Sequence, residues 1–400
     1  MNPMATRASF SSRMALAVCG IVAALLVGEA LIRLFDLAPE SFVVYASRRG
    51  WRPKPGAHGW QRREGQAYVS VNRHGFRGPD RPVEKPAGGF RVAVLGDSFA
   101  FAEQVPYRET FSAVVERRLT GCAALSGRPV EVLDFGCIGY GTAQELLTLR
   151  RQAWRYAPDM VVLAVYTGND IRNNSPALER NKCRPFFVYR GGRLELGGPF
   201  VDSAIFRLNC LARYESRRLQ VFNVLGDAWM MLRDWLRSLR GGASARRSAQ
   251  FVAEDLVTYR PPAAPAWREA WRVTEGEIEL MRREVASRDA GFLVAVVSDA
   301  PQVFPSAKAR LALVKSLGAS GDLLYPDKRL VALGRREGFA VLDLVPAMQA
   351  WADAKRRFLH GFANSAYGSG HWNAEGHRLA GELIAERLCA MAGRASAAPR

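Results

Sequence analysis

Four short segments carry residue types that could together perform nucleophilic chemistry. Two of them supply a nucleophile and a base: the sequence GDSF at 96–99 contains Ser98, and the sequence GHWNAEGH at 370–377 contains His371. A serine hydroxyl becomes an effective nucleophile when a histidine accepts its proton. Serine in such a turn commonly does no more than form hydrogen bonds with the turn backbone. The case for Ser98 as a nucleophile therefore depends on the other segments.

The other two segments can stabilise negative charge on a carbonyl oxygen. Glycines at 136, 139 and 141 allow close backbone approach, and the N–H of Gly139 can donate to a developing oxyanion. In the sequence TGND at 167–170, the side-chain amide of Asn169 can donate to the same oxygen. Alone, these segments are equally typical of a glycine turn and of helix caps.

The elements around these segments predict how they are positioned. Apolar runs typical of buried strands lie at 91–95, 130–133, 160–165, 292–297 and 340–344, and segments with helical spacing alternate with them, at 110–119, 143–154, 267–287, 330–337 and 373–391. This alternation predicts an α/β fold with a five-stranded, mostly parallel sheet covered on both faces. The active site of such a fold lies beyond the carboxyl ends of the strands.

The four segments, taken in their order along the chain, resemble those of the SGNH or GDSL hydrolase superfamily. The resemblance covers roughly residues 90–389, without the long segment 172–265, and the sequence VNRHGFR at 71–77 looks like that of membrane-anchored bacterial members. It implies a flavodoxin-like three-layer sandwich. It also implies ester hydrolysis or acyl transfer through an acyl-serine, and we predict no cofactor.

The same resemblance implies a role for each residue of the site. Ser98 is then the nucleophile and His371 the base, while the N–H groups of Ser98 and Gly139 form an oxyanion hole with the side chain of Asn169. His377, six residues beyond the base, is predicted to be structural.

One position departs from the superfamily pattern. Most members carry an aspartate two or three residues before the histidine, where this chain has Ser369 and Gly368. The site is therefore either a Ser-His dyad or uses another acid, for which Asp343 and Asp299 at the ends of the last two predicted strands are the candidates. Loss of a triad acid costs orders of magnitude in rate where it is essential.

The amino-terminal region predicts a membrane anchor. An apolar run at 14–32, followed by Arg33, is long enough to cross the hydrocarbon layer, and Arg7 and Arg13 precede it. We favour an uncleaved anchor; a removed signal peptide and a buried soluble helix are the alternatives. The predicted organisation is a tail at 1–13, a transmembrane signal anchor at 14–33, a strand-and-loop extension at 34–89, the hydrolase domain at 90–392 with an insertion at about 172–265, and a flexible tail at 393–400.

The insertion is predicted to contain a hairpin and a helical part. Residues 186–196 have a hairpin pattern around two glycines, and residues 205–239 carry an apolar stripe among many arginines. We favour core packing of this stripe as a cap over the sheet, with a basic amphipathic helix on a membrane as the alternative.

Composition limits the remaining classes of function. The chain has 56 basic and 38 acidic residues, a net charge of +18, with only seven lysines among the basic residues. Because the excess is spread along the chain and no nucleic-acid-binding signature accompanies it, we predict no nucleic acid partner. The six cysteines form no CxxC pair, so we predict no metal site; Cys183 and Cys210 could pair in an oxidising compartment.

The sequence therefore predicts a serine esterase or O-acyltransferase of the cell envelope, acting on ester-linked acyl groups, with a polysaccharide or glycan ester as the favoured substrate. The predicted location is a bacterial inner membrane, with a single span and the catalytic domain in the periplasm or outside the cell. The alternative is a non-catalytic module of the same fold that binds or scaffolds envelope polysaccharide. Attachment of the basic surface to nucleic acid or anionic lipid is a third hypothesis, and the sequence makes no prediction about oligomeric state.

Overall fold

The computed structural model describes residues 10–35, 41–216, 219–239, 256–318 and 320–397. This part of the chain begins with helix α1 (Phe10–Leu34). Within α1, the 22 residues Arg13–Leu34 are apolar enough to cross a membrane, and most of their large apolar side chains are exposed. At 1.5 Å per residue this segment measures about 33 Å, close to the thickness of a hydrocarbon layer.

The strands and the other helices follow in chain order. The strands are β1 (Val43–Ala46), β2 (Gly50–Pro53), β3 (His58–Gln61), β4 (Ala67–Ser70), β5 (Phe90–Gly96), β6 (Val130–Asp134), β7 (Met160–Tyr166), β8 (Phe186–Arg190), β9 (Arg193–Gly197), β10 (Gly291–Val297) and β11 (Ala340–Asp343). The helices are α2 (Ser98–Phe101), α3 (Phe111–Thr120), α4 (Thr142–Arg151), α5 (Asp170–Asn173), α6 (Pro199–Asp202), α7 (Ala204–Ser216), α8 (Gln220–Leu239), α9 (Pro265–Ala286), α10 (Ala307–Ser316), α11 (Tyr325–Glu337), α12 (Val345–Lys355) and α13 (Ala374–Ala397).

Five parallel strands form the central sheet, in the order β11-β10-β7-β5-β6. Numbered by their occurrence in this sheet, the strands have the order 2-1-3-4-5 of a flavodoxin-like fold, which confirms the predicted fold class. The strand order reverses between β5 and β7. In such sheets, ligands bind beyond the carboxyl ends of the strands at this reversal, which is where the segments of Ser98 and Asn169 begin.

Alternating side chains of the strands build a separate core on each face of the sheet. Val92 and Val94 of β5 pack with apolar residues of α3, α12 and α13, whereas Ala93 and Leu95 pack with those of α4, α9 and α11. Both faces are buried, so the strands read as continuous apolar runs. For the same reason each of the five strands was predictable to within one residue at either end.

The helix boundaries differ more from the sequence predictions. Helix α11 begins at Tyr325, five residues before the predicted start at 330, because Pro326 occupies its first turn, where proline needs no backbone N–H partner. Helix α13 continues to Ala397, beyond the predicted domain end at 392. Helices α10 and α12 were not expected from the sequence.

The extension before the sheet forms two antiparallel hairpins, β1 with β2 and β3 with β4. Its Arg77 is fully buried and donates hydrogen bonds to the backbone carbonyl of Phe101, the last residue of α2, and to those of Ala102 and Val105 just beyond it. The extension is therefore attached directly to the segment that follows Ser98.

The insertion contains the predicted hairpin, β8 with β9, and the helices α6, α7 and α8. Helix α7 contacts β1. A disulfide joins Cys183 to Cys210, the pair that the sequence offers as a candidate. A second disulfide joins Cys122 to Cys389, a pair that the sequence does not indicate.

The apolar stripe of 205–239 does not form a cap over the sheet along its whole length, which corrects the favoured prediction. Phe206 and Tyr214 of α7 pack against the Cys183–Cys210 disulfide, but the described apolar residues of α8 beyond Val221 are exposed. Helix α8 contacts α1, because its first turn packs against that helix.

Candidate active site

Ser98 lies in a sharp turn directly after β5. The strand ends at Gly96, and Asp97 caps the four-residue helix α2 by accepting a hydrogen bond of 2.8 Å from the N–H of Phe99. Ser98 is the first residue of that helix and is 8% exposed. The turn thus holds the hydroxyl at the carboxyl edge of the sheet.

His371 lies against this hydroxyl. Its Nε2 is 2.8 Å from Ser98 Oγ, and its ring packs on Phe99 with 4.9 Å between ring centroids. The neighbouring Trp372 is fully buried, and Asn373 caps α13 by accepting hydrogen bonds from the N–H groups of Glu375 and Gly376. The nucleophile and base predicted from the sequence are therefore in hydrogen-bond contact although 273 residues separate them.

Glu64 is the acid that contacts His371. It lies in the turn between β3 and β4, and its Oε2 is 2.6 Å from His371 Nδ1, while its Oε1 accepts a 2.7 Å hydrogen bond from the backbone N–H of His371. Because Glu64 accepts the Nδ1 hydrogen, Nε2 of the neutral ring is left to accept the proton of Ser98. The three side chains form a continuous hydrogen-bonded series.

Neither acid suggested by the sequence takes this position, which corrects that prediction. Asp299 accepts hydrogen bonds from the hydroxyls of Tyr166 and Tyr259. Asp343 accepts a 3.0 Å hydrogen bond from the N–H of Val345 at the start of α12. Both residues serve local structure near the ends of their strands, whereas both ring nitrogens of the histidine are occupied by Glu64 and Ser98.

The turn that carries Glu64, residues 62–66, is held by the loop before His371. Asn364 accepts from the N–H of Gly65 at 2.9 Å and donates to the carbonyls of Arg62 and Gly65. Gly370 has a φ of +70°, and a Cβ there would collide with the Glu64 carboxylate. The sequence before Ser98 does not indicate that Glu64 contacts His371. The two residues are 307 positions apart, and Glu64 follows two arginines in a short turn.

The pKa values of this pair have shifted in opposite directions. Burial acts to lower the pKa of His371, but the hydrogen bond and the charge of Glu64 outweigh it and raise that pKa above its ordinary value of 6.5. Burial acts to raise the pKa of Glu64, and the hydrogen bonds from His371 reverse the effect and lower it below 4.5. The pair therefore favours a carboxylate beside an imidazole that readily takes up a proton.

The loops after β6 and β7 reach the Ser98 turn. The N–H of Cys137 donates to the carbonyl of Gly96, and the Asn169 side chain donates to Asp97 Oδ2 at 3.2 Å. An amide nitrogen carries two hydrogens, so Asn169 retains one for a ligand oxygen. Asp97 is fully buried, and desolvation raises its pKa despite these hydrogen bonds.

Gly139 has a left-handed backbone conformation with φ +70°. Its carbonyl accepts a 2.9 Å hydrogen bond from Arg184, and the carbonyl of Ile138 accepts one of 2.8 Å from the Trp51 indole. Because these two bonds fix the carbonyls, the orientation of the loop is set by one residue of the extension and one of the insertion. The sequence placed Gly139 in the site but gave no sign of these supports.

Two other histidines are buried beside the site. His360 contacts Ser298 Oγ and the carbonyl of Gly370, and burial lowers its pKa to about 4. Burial also lowers the pKa of His377, which lies fully buried against Phe111 in agreement with its predicted structural role. Among the described residues, no group of three or more His, Cys, Asp or Glu side chains could hold a metal ion.

Comparison with known proteins gives structural similarities alone. No family model and no curated protein matches the chain. The chain is similar to a lipase/acylhydrolase from Enterococcus faecalis, with a TM-score of 0.36 and 15% identity over 76% of this chain and 96% of that chain. It is also similar to a catalytic mutant of an acetylxylan esterase from Geobacillus stearothermophilus, with a TM-score of 0.37 and 10% identity over 75% of this chain and 94% of that chain.

A third similar structure is described as a lipolytic protein of the G-D-S-L family from Desulfitobacterium hafniense DCB-2, with a TM-score of 0.34 and 10% identity over 74% of this chain and 99% of that chain.

Proposed function

We propose that this chain is a membrane-anchored serine esterase or O-acyltransferase that acts on ester-linked acyl groups of an envelope polysaccharide or glycan. The observation that supports it is the hydrogen-bonded series from Glu64 through His371 to Ser98, with distances of 2.6 and 2.8 Å. Nucleophile, base and orienting acid in this order define acyl transfer through a covalent intermediate.

The proposed reaction has two half-reactions. Ser98 Oγ attacks the ester carbonyl while His371 Nε2 takes the hydroxyl proton, and Glu64 stabilises the resulting imidazolium. The negative oxygen is stabilised by the N–H groups of Ser98 and Gly139 and by the Asn169 amide. When the intermediate collapses, the leaving alkoxide takes the proton from His371 and the acyl group remains on Ser98.

In the second half-reaction, water or a sugar hydroxyl attacks the acyl-serine. His371 takes the proton of this second nucleophile and returns a proton to Ser98 as the ester bond breaks. Water makes the protein an esterase, and a sugar hydroxyl makes it a transferase.

In this proposal the glycan binds in a cavity next to the Glu64 turn. It has a volume of about 670 Å³, and its lining includes Gly65 beside Glu64 and Asn373, two residues after His371. Aromatic side chains and polar side chains line it together, among them Phe358, Phe362, Tyr367, Gln66, Asn364 and Arg357. Aromatic faces with a few positioned polar groups are typical of sites that bind organic ligands.

The location in the cell envelope rests on α1 and the disulfides. The proposal makes α1 a single-pass anchor in a bacterial inner membrane and places the catalytic domain in the periplasm or outside the cell. The two disulfides, Cys122–Cys389 and Cys183–Cys210, support an oxidising compartment.

The non-catalytic alternative rested on the missing aspartate. Glu64 occupies the position from which such an acid orients the imidazole, so this reason for doubting catalysis no longer applies. A module that only binds polysaccharide has no physical need for an aligned nucleophile, base and acid.

Labelling with a fluorophosphonate probe tests the proposal on the full chain in detergent. We expect modification of Ser98, identified by mass spectrometry of the labelled peptide, and its loss in Ser98→Ala and in His371→Ala. The exposed Ser126→Ala, away from the site, is the matched control and should label like the parent chain. A folded chain that is not labelled at Ser98 would refute the enzyme proposal and support glycan binding.

Substrate class is tested by comparing kcat/KM for an acetylated oligosaccharide and for p-nitrophenyl acetate. We expect Tyr367→Ala, which changes an exposed side chain of the cavity, to lower kcat/KM severalfold for the oligosaccharide alone. Tyr68→Ala, equally exposed on β4, is the control. Acetylated product in the presence of an added glycan acceptor would identify the transferase, and free acetate alone the esterase.

A further inference from the structure

Helix α8 exposes a continuous apolar stripe. Phe222, Leu225, Trp229, Leu232 and Leu236 are spaced three or four residues apart, which places them on one face of the helix. Each is 42 to 63% exposed. A row of large apolar side chains in contact with water is unusual for a soluble surface and indicates an interaction site.

The first turn of α8 is attached to α1. The backbone N–H of Val221 donates a 2.8 Å hydrogen bond to Glu29 Oε2, and Val221 is buried against Ile32 and Leu25. Glu29 is in turn bonded to Arg33 on the same helix. The position of α8 along α1 is therefore set by polar and apolar contacts together.

This attachment defines the depth at which α8 begins. Glu29 lies five residues before Leu34, where α1 ends. At 1.5 Å per residue this is about 7.5 Å from the end of the span. Helices that lie in the plane of a membrane bury their apolar face about 5–10 Å into the boundary between headgroups and acyl chains.

We propose that α8 is an interfacial helix that lies on the same lipid bilayer that α1 spans, with the stripe facing the acyl chains. This rests on the proposed membrane anchor. The occupant is lipid because the stripe begins at the contact with α1, whose own exposed apolar side chains require the same environment. Arginines at 217, 218, 233 and 237 outnumber the aspartates at 227 and 234, so this segment carries a net positive charge, which favours anionic headgroups.

The second contact would limit rotation of the catalytic domain about its anchor. Helix α7 precedes α8 and is joined to the segment before β8 by the Cys183–Cys210 disulfide. Arg184, which follows Cys183 in the chain, donates a hydrogen bond to the carbonyl of Gly139 in the candidate oxyanion loop. The membrane contact is thus connected through a covalent bond and a hydrogen bond to the active-site edge of the sheet.

Site-directed spin labelling of the full chain tests this proposal. The chain, with Cys19→Ala, is reconstituted in vesicles of phosphatidylethanolamine and phosphatidylglycerol, and nitroxides are attached at Leu225→Cys, Trp229→Cys or Leu232→Cys. We expect these labels to be accessible to oxygen and protected from a water-soluble nickel chelate. A label at Asn223→Cys, on the opposite face of α8, should show the reverse.

Three outcomes would overturn the proposal, and a label at Val22→Cys in α1 separates it from the anchor. If Val22 reports lipid and the stripe reports water, α8 is not interfacial although the anchor stands. If neither reports lipid, the anchor proposal fails as well. If the stripe is protected from both reagents and shows spin–spin broadening that unlabelled chain removes, the occupant is a second copy.

A charge substitution provides a second measurement. Leu225→Glu with Leu232→Glu should move the label at Trp229→Cys into water, as a severalfold rise in accessibility to the nickel chelate, while hydrolysis of p-nitrophenyl acetate is unchanged. Leu311→Glu, at an exposed leucine of α10, is the control and should leave the label in lipid. An unchanged label in the double variant would contradict the proposal.

Discussion

Glu64 reaches His371 from a segment that precedes the sheet. Its two oxygens hold the imidazole at Nδ1 and the backbone of the same residue at its N–H, so one carboxylate fixes both ring orientation and loop position. A glutamate can replace the expected aspartate because only the carboxylate at Nδ1 matters to the ring, and not the element that supplies it.

Replacing Glu64 with glutamine removes the negative charge that orients His371 and keeps the size of the side chain. We expect Glu64→Gln to lower kcat for an activated ester on the order of 10³- to 10⁴-fold, because the amide cannot stabilise the imidazolium and favours the wrong tautomer. Steady-state kinetics of the purified chain in detergent measures this effect. Glu195→Gln, at an exposed position of β9, is the matched control, and equal losses in both variants would remove Glu64 from the proposed machinery.

The raised pKa of His371 determines the acidic limb of the pH–rate profile. The protonated ring cannot accept the Ser98 proton, so kcat/KM should fall as pH decreases through a value above 6.5. In Glu64→Gln the carboxylate that raises the pKa of His371 is gone, while the burial that lowers this pKa remains. The acidic limb of the residual activity should therefore move to lower pH. A limb that stays in place or moves upward would contradict the assignment of Glu64 as the cause.

At the scale of elements, the extension acts as part of the catalytic domain. Its turn supplies Glu64, its Trp51 fixes the loop of Gly139, and its Arg77 supports the chain beyond α2. A sheet with its helices alone would therefore lack the acid and two supports of the site.

Arg77 provides the test at this scale. Arg77→Met keeps most of the volume but leaves the buried carbonyls of Phe101 and Val105 without their donor, whereas that of Ala102 still accepts from the N–H of Val105. Each unsatisfied buried group costs about 1–3 kcal/mol, so we expect a loss of at least about 2 kcal/mol in the free energy of unfolding. Thermal unfolding of the chain in detergent measures it; Arg62→Met, at an exposed position in the Glu64 turn, is the control. A melting temperature equal to that of the control would show that Arg77 does not support this segment.

At the scale of the whole molecule, a disulfide joins residues that are 267 positions apart. Cys122 follows α3 and Cys389 lies in α13, two helices that pack on the same face of the sheet. Closing so long a loop restricts the unfolded chain, and loss of such a bond typically costs about 2–5 kcal/mol.

We therefore expect the pair Cys122→Ser and Cys389→Ser to lower the melting temperature of the chain by several degrees. Cys19→Ser, which changes an exposed free cysteine of α1, should leave it unchanged. Mass spectrometry of non-reduced peptides identifies the pairing directly. Free thiols at both positions in chain purified from an oxidising compartment would refute this disulfide and weaken the proposed location.

Local sequence patterns were enough to predict the central sheet and the order of the four segments. The strands are buried on both faces, so they read as apolar runs, and Ser98, Gly139 and Asn169 lie two to five residues beyond the ends of their strands. Because parallel strands present their carboxyl ends at one edge, local sequence is enough to assign these three residues to loops at the same edge of the sheet.

Long-range packing accounts for three features: the acid that orients His371, the position of α8, and the pairing of Cys122 with Cys389. Each depends on contacts between segments far apart in the chain, such as the 307 residues between Glu64 and His371. Local spacing identified Asp299 and Asp343 because they lie at or just beyond the ends of strands, yet Asp299 accepts hydrogen bonds from two tyrosines and Asp343 accepts one from the N–H of Val345. A turn between short strands carries no periodicity that reports its partner, so packing alone brings the Glu64 carboxylate to the imidazole.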